Sequence, residues 1–234
     1  MDKIAKPFLT AEWRRLLLLQ YDIDASLLEP HLPPGCVADT LDGRAFVSFV
    51  AFDFLNTRVM GVRWPGYVNF PEINLRAYVR HGERRGVVFI REFVPQRLVA
   101  FLANTIYNEE YRAVPMSSRC TESGGGVEVT HEIKLGGRFR RIKFSGHAPL
   151  VLPSEESTEH FFKEHEWGFG RSRRGTLITY RVQHPRWRVY GNPTYELDYD
   201  FAVAYGDAWA GLNGRTPHSV VLAEGSAVEV FPKG

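Results

Sequence analysis

Residues 70–81 read Phe-Pro-Glu-Ile-Asn-Leu-Arg-Ala-Tyr-Val-Arg-His, and the alternation in this stretch decides the architecture. Ile73, Leu75, Ala77 and Val79 fall on one face of an extended strand. Glu72, Asn74, Arg76 and Tyr78 fall on the other, because successive strand side chains point to opposite sides. Gly82 to Gly86 turns the chain and Val87 to Val94 returns, so the pair reads as a β-hairpin. One face of this hairpin is built to be buried. The other carries a carboxylate, an amide and a guanidinium, and its direction decides whether the chain has a pocket.

Upstream, Trp13 to Tyr21 reads as a strand that is apolar on both faces. Asp24 is placed to cap a helical turn through Leu28, which Pro30, Pro33, Pro34 and Gly35 end. Val37 to Thr40 is a strand, and Asp42-Gly43 is a hairpin turn leading into Arg44 to Met60. That run carries Phe46, Val47, Phe49, Val50, Phe52 and Phe54. It is long for one strand, so a bend is expected near Asp53 to Asn56. Gly61 to Tyr67 is a loop containing Trp64-Pro65-Gly66. Downstream, Pro95 opens a helix with Leu98, Val99, Leu102 and Ile106 as its apolar stripe, ending near Asn108. Met116 to Glu122, Val127 to Leu135 and Arg138 to Gly146 read as strands, and Glu159 to Trp167 as a short helix. Thr176 to Gln183 and Trp187 to Tyr199 are further strands. Phe201 to Trp209 reads as a last helix and Ser219 to Val230 as a final strand. Strands joined mostly by tight turns favour antiparallel pairing. The expectation is an α+β, mainly β fold: one domain over residues 1–234, with a bent sheet or barrel and a few short peripheral helices.

The chain has 234 residues and a net charge of +2, too small to argue for nucleic acid. Cys36 and Cys120 are its two cysteines. They form no disulfide framework and lack metal-site spacing, and read as buried thiols of a reducing compartment. The run Leu16 to Leu19 is too short for a membrane span, which needs about 20 residues. Asp2 and Lys3 lead into no sustained apolar stretch, so a cytoplasmic location is expected, with no membrane partner. No phosphate-binding loop, dinucleotide glycine fingerprint or nucleophile elbow is present. His160 and His165 are five apart and do not share a helix face, so no metal and no cofactor is expected. Arg138, Arg140, Arg141 and Lys143 sit on both faces of one strand, which suits a solvated edge.

The candidate ligand-binding residues are therefore Glu72, Asn74 and Arg76, with Arg91 reaching across the hairpin towards Glu72. On an open sheet their face meets water, and an Arg91–Glu72 contact is an ordinary cross-strand pair. On a closed barrel it points inward, and a buried Glu and Arg must then be compensated. Arg58 reads as exposed and His184 as a hydrogen-bonded turn residue.

The run from Trp13 to Tyr21, Leu32-Pro33-Pro34-Gly35, Asp42-Gly43, the Glu72-x-Asn74-x-Arg76 strand and His184-Pro185 together resemble the uncharacterised YqjF-like family over about residues 10 to 232. That resemblance implies the acetoacetate decarboxylase-like fold, a bent antiparallel sheet closing into a cone-like barrel around a cavity. Related decarboxylases use a lysine that forms a Schiff base with a β-keto acid, its amine freed by burial and a neighbouring lysine. In the comparable stretch here, Asn108-Glu109-Glu110-Tyr111-Arg112, Tyr111 and Arg112 stand where the two lysines would be. Neither forms an imine. Glu72 resembles the cavity-wall glutamate of those enzymes. The resemblance thus implies a pocket for a small carboxylate or carbonyl compound without the Schiff-base lysine. The alternative is a non-enzymatic interaction or assembly protein that uses the Trp64 to Tyr67 loop, and a homo-oligomer stays open. A third reading is a lyase built on Lys143, which lies between Ile142 and Phe144.

Overall fold

The computed structural model describes residues 6–106 and 108–232. The hairpin of residues 70–94 is formed by β4 (Phe70–His81) and β5 (Arg84–Val94). Six more strands join it: β1 (Leu9–Ile23), β3 (Ala45–Val59), β10 (Trp167–Arg171), β11 (Leu177–Gln183), β13 (Ser219–Val230), and the two-residue β2 (Val37–Ala38), which lies on β4. The pairing runs β1-β3-β4-β5-β10-β11-β13 and returns to β1, so the strands close into a ring. β1 and β13 supply the seam, in antiparallel register from Leu9↔Val230 to Gln20↔Ser219. β5 is also flanked by β6 (Tyr111–Ala113), in parallel.

Beyond the ring the sheet continues through β12 (Val189–Leu197), β9 (Arg138–Val151), β8 (Gly126–Leu135) and β7 (Met116–Ser123). This second layer folds over the outer face of the ring. Leu17, Leu19, Phe49, Ile73, Leu75 and Ala77 pack there against Val129, Ile133, Ile142 and Phe144. Phe201, Ala204 and Tyr205 of α3 (Phe201–Tyr205) and Trp209 of the following 3-10 turn complete that core. The aliphatic face of β4 is thus the core face, and its polar face looks into the ring. A fully buried Phe contributes roughly 1.5–3 kcal/mol relative to exposure, and Phe49 here also meets Tyr199 and Phe201 edge-on at 4.8 and 5.8 Å. The mainly β architecture with short helices is as the alternation predicts.

The expected irregularity in the long strand is present. Asn56 takes a positive φ of 54°, and the β1–β3 register shifts between Thr10 and Glu12. A second shift, between Arg14 and Leu17, leaves Arg15 at φ 57°. Such a bulge re-aims one side chain. Here it turns Arg15 towards Asp53, at 2.8 Å. His131 of β8 lies 3.3 Å from the other Asp53 oxygen and is fully buried. One carboxylate thus joins β1, β3 and the second layer.

Three expectations are corrected, and one short strand is added to them. The helix drawn from Glu159 to Trp167 stops early, as α2 (Thr158–Lys163), because Trp167 and Gly168 pair with Gly86 and Val87 of β5 instead. The last helix breaks at Gly206, whose φ of 105° no helix accommodates. Tyr111 to Ala113 form a strand that periodicity could not announce in so short a segment. Cys36 is buried, but Cys120 is exposed on β7. Among the described residues no helix is long and apolar enough to cross a membrane.

Candidate functional site

The ring surrounds a cavity of about 510 Å³ that opens at a rim. Strand alternation builds its wall: Val50, Phe52 and Phe54 of β3 face it while Phe49 and Ala51 face the core. α1 (Arg97–Ile106) lies over one end and turns Leu98, Val99 and Leu102 towards the space, as its apolar stripe requires. Ile106, placed in that stripe by the sequence, has a side chain outside the described ones. Trp64 and Met60 stand at the rim, and both are exposed. Most of the lining is apolar and aromatic, so its polar groups are conspicuous.

Those groups come from adjacent strands in register. Asn74 of β4 is opposite Glu92 of β5, which is opposite Tyr111 of β6. Glu72 lies two residues along from Asn74 on the same face. Asn74 Nδ2 donates to Glu72 Oε1 at 2.9 Å, and the Tyr111 hydroxyl donates to Glu72 Oε2 at 3.3 Å. Glu109 joins them, accepting from the Tyr180 hydroxyl at 2.5 Å. Gly168 permits that position of Tyr180, since a Cβ there would fall 2.1 Å from its ring. Glu72 and Glu92 are 3% and 1% exposed, which is rare for carboxyls without a cationic partner at hand.

Burial therefore governs their protonation. It pushes Glu72 up to about 8, against the bond from Asn74 and with the Glu109 charge adding to the rise. Burial and then the charges of Glu109 and Glu72 hold Glu92 well above the usual carboxylate range. Burial lifts Glu109 to about 7, opposed by its bond from Tyr180. The Tyr111 phenol is raised as well, by burial first and then by the three carboxylates. At neutral pH this end of the cavity holds protons that ordinary glutamates would have lost.

The other polar end is Arg76 with His165. Arg76 donates to the Phe162 carbonyl at 3.3 Å, and its buried Nε has no partner. Among the described residues it forms no ion pair. His165 Nε2 lies 3.3 Å from Asp39 Oδ2, and Arg85 Nε holds the same oxygen at 2.6 Å. Burial lowers His165 to about 4, with the Asp39 bond opposing, so the ring is neutral and the Asp39 side fixes which nitrogen carries the proton.

Glu72, Asn74 and Arg76 all line the cavity, as the closed-barrel reading of their strand requires. Arg91 does not join them. It pairs with Leu75 across the hairpin and so shares the core-side face. Its guanidinium reaches Glu110, at 2.9 Å, and the Ala204 carbonyl of α3. Its neighbour Glu92 takes the inward position. A bulge between the Leu75 and Arg76 pairings then puts Phe89, not Ile90, beside Arg76. Strand phase carried this signal: Glu92 faces Asn74 once the hairpin register is known. Glu109, Tyr111, His165 and Tyr180 arrive from distant segments and carried no local signal. Lys143 is on the surface, 3.3 Å from Glu128, which removes it as a buried nucleophile. Among the described residues the buried lysine is Lys163 of α2, bound to Glu164, and it does not line the cavity. Arg58 is exposed, and His184 Nδ1 lies 2.9 Å from the Pro185 carbonyl while its ring stacks on Trp187. The basic strand is matched by acids, Arg140 by Asp198 and Arg141 by Glu132. No group of three or more His, Cys, Asp or Glu among the described residues is placed to hold a metal ion.

Comparison with known proteins agrees with this architecture. The model of the family DUF2071, described as an uncharacterized conserved protein, matches residues 10–227. Uncharacterized protein YqjF of Bacillus subtilis (strain 168) is 31% identical over 123 residues, 52% of this chain and 50% of its own length. The match thus spans about half of that curated relative. Among solved structures, an acetoacetate decarboxylase-like enzyme from Sphingomonas wittichii RW1 superposes with a TM-score of 0.64 at 13% identity, over 97% of this chain and 92% of its own. The enduracididine biosynthesis enzyme MppR superposes at 0.63 with 14% identity, over 100% and 86%. An acetoacetate decarboxylase from Legionella pneumophila superposes at 0.63 with 13% identity, over 98% and 86%. At such identities the likeness establishes the fold.

Proposed function

The chain belongs to the DUF2071 family and has the acetoacetate decarboxylase-like fold, and we propose that it binds a small organic molecule in its ring cavity through a carboxylate or carbonyl function. The observation that carries this reading is Arg76. Its guanidinium sits in the wall of a mostly apolar cavity, with a buried Nε that no protein group satisfies. A buried donor without a partner is costly, and a carboxylate or carbonyl oxygen is the natural complement of a guanidinium. The solved structures add support from outside the chain: MppR has been captured with pyruvate, an α-keto acid, in the same fold. Imine chemistry is not part of the proposal. Tyr111 and Arg112 occupy the stretch that resembles the lysine pair, and no lysine among the described residues lines the cavity.

The test is titration calorimetry with a panel of carboxylic acids and carbonyl compounds of graded apolar size. At least one should bind, and Arg76→Ala, checked for folding, should weaken it about tenfold or more, as a lost charge-assisted hydrogen bond does. Equal binding by folded Arg76→Ala and Glu72→Gln proteins would end this reading. A second reading, an interaction or assembly protein, draws on the exposed Met60, Val62, Trp64 and Phe101 near the rim. A strictly monomeric protein in scattering measurements, with an occupied cavity, would argue against it.

A further inference from the structure

We propose that the ligand of this cavity carries a protonated primary amine, seated between Asn74 and Glu92 beside Glu72. The inference rests on the cavity being a ligand site and names the chemistry of its second polar end.

The donors at this end are already engaged: the Asn74 amide and the Tyr111 hydroxyl serve Glu72, and the Tyr180 hydroxyl serves Glu109. With Glu92 ionised, two buried acceptors are left without a hydrogen-bond partner, Asn74 Oδ1 and Glu92 Oε2; in the empty protein the acid proton that burial keeps on Glu92 is a donor they can share, and a cationic donor would take its place. Asn74 and Glu92 face one another directly across the β4–β5 pair, where Cβ atoms stand about 4.5–5.5 Å apart. One group between them with several N–H donors satisfies both, and an ammonium has three. A carboxylate supplies no donor at all, and a hydroxyl supplies one.

Charge points the same way. The groups facing this position are Glu72 and Arg76 from β4, Glu92 from β5, Glu109 and Tyr111 at β6, Tyr180 from β11, and His165 beyond Arg76. Three are carboxyls and one is a cation. No lysine among the described residues supplies a second. An ammonium placed among them would let carboxyls ionise that burial otherwise keeps protonated. Binding must then release a proton to solvent. Arg76 lies two residues from Asn74 on the same strand face, roughly 7 Å away. An amine at one end and a carboxylate or carbonyl at the other are therefore compatible with one ligand whose remaining body is apolar.

The test uses the intact wild-type chain and four probes of one chain length: hexylamine, hexanoate, hexanol and the matching methyl ketone. Each is titrated by calorimetry across about pH 6 to 8, in two buffers of different ionisation enthalpy, to count the protons exchanged. Hexylamine should bind most tightly, tighten by up to about tenfold per pH unit, and release close to one proton. Glu92→Gln should weaken hexylamine about tenfold or more and leave hexanoate unchanged. If hexanoate or the ketone binds and hexylamine does not, the amine is overturned while the cavity reading stands. Equal binding of hexanol and hexylamine with no proton released also overturns it. If no probe binds at any pH, the cavity reading fails and this inference with it. The proton count on the wild-type chain decides the matter even where Glu92→Gln does not fold.

Discussion

Raising the pH from about 6.5 to about 8 should destabilise the ligand-free protein, by up to about 1.4 kcal/mol per pH unit for each cavity acid that stays protonated there in the folded state alone, and by less for one that is only partly buried. The acids are Glu72, up at about 8, Glu109, at about 7, and Glu92, held well above the carboxylate range, from an ordinary value of 4.5. In the unfolded chain these groups lose their protons near 4.5. In the folded chain they keep them until the pH reaches their raised values. Between those limits the native state binds more protons than the unfolded one, so stability falls as pH rises. Each contribution is full below 4.5; that of Glu109 is lost as pH rises through about 7 and that of Glu72 as it rises through about 8, while that of Glu92 lasts until pH passes its own raised value. His165 works in the opposite sense. Burial lowers it from 6.5 to about 4, so its contribution is full above 6.5 and is lost as pH falls towards 4. The two slopes oppose each other at acid pH, and above 6.5 the acids act alone. Urea unfolding at stepped pH measures the slope, and Glu72→Gln and Glu109→Gln should each flatten it. A wild-type curve that is level across this range would mean that the three carboxyls are already ionised and compensated. An amine ligand should reverse the trend, holding the protein stable where the empty one weakens.

The second large effect lies away from the cavity. Asp53→Ala should cost about 3–5 kcal/mol, the usual loss when one partner of a buried ion pair is removed. Asp53 is 3% exposed and holds Arg15 at 2.8 Å and His131 at 3.3 Å. Burial alone would raise the Asp53 carboxyl, yet contacts from His131, Arg15 and Ser118 hold it below the usual range. Without it, His131 loses its carboxylate and Arg15 keeps only the exposed Glu122, at 3.4 Å. Asp53→Asn keeps an acceptor and should cost less. Equilibrium denaturation at neutral pH gives both values. A loss under about 1 kcal/mol for Asp53→Ala would show that Arg15 finds adequate solvation elsewhere. Because Asp53 does not line the cavity, affinity for a cavity ligand should be unchanged in the protein that remains folded.

The legible parts of this molecule were those whose cause is local. β4 was read with its observed ends, Phe70 and His81, because a period of two over so many residues has one explanation. β13 was read equally well from Ser219 to Val230. The Asp24 cap was legible because its carboxylate needs only the Ser26 amide two residues on, at 2.9 Å. Arg91 shows where such reading fails. A charged residue inside an apolar strand looks inward or outward only relative to a register, and that register contains a bulge no local pattern marks. Trp167 fails for a related reason: its place in a strand is set by β5, some eighty residues earlier in the chain.

The sequence by itself determined most of the strands, though not β6 or β10, the mainly β class and the polar trio Glu72, Asn74 and Arg76 on a single strand face. Only the tertiary structure decided that this face looks into a cavity, because closure depends on β1 meeting β13 across more than two hundred residues. Closure also brings Glu92, Glu109, Tyr111, Tyr180 and His165 to one wall. Alternation is a property of neighbouring residues, whereas protonation, unsatisfied acceptors and enclosure belong to groups that meet only after the chain has folded.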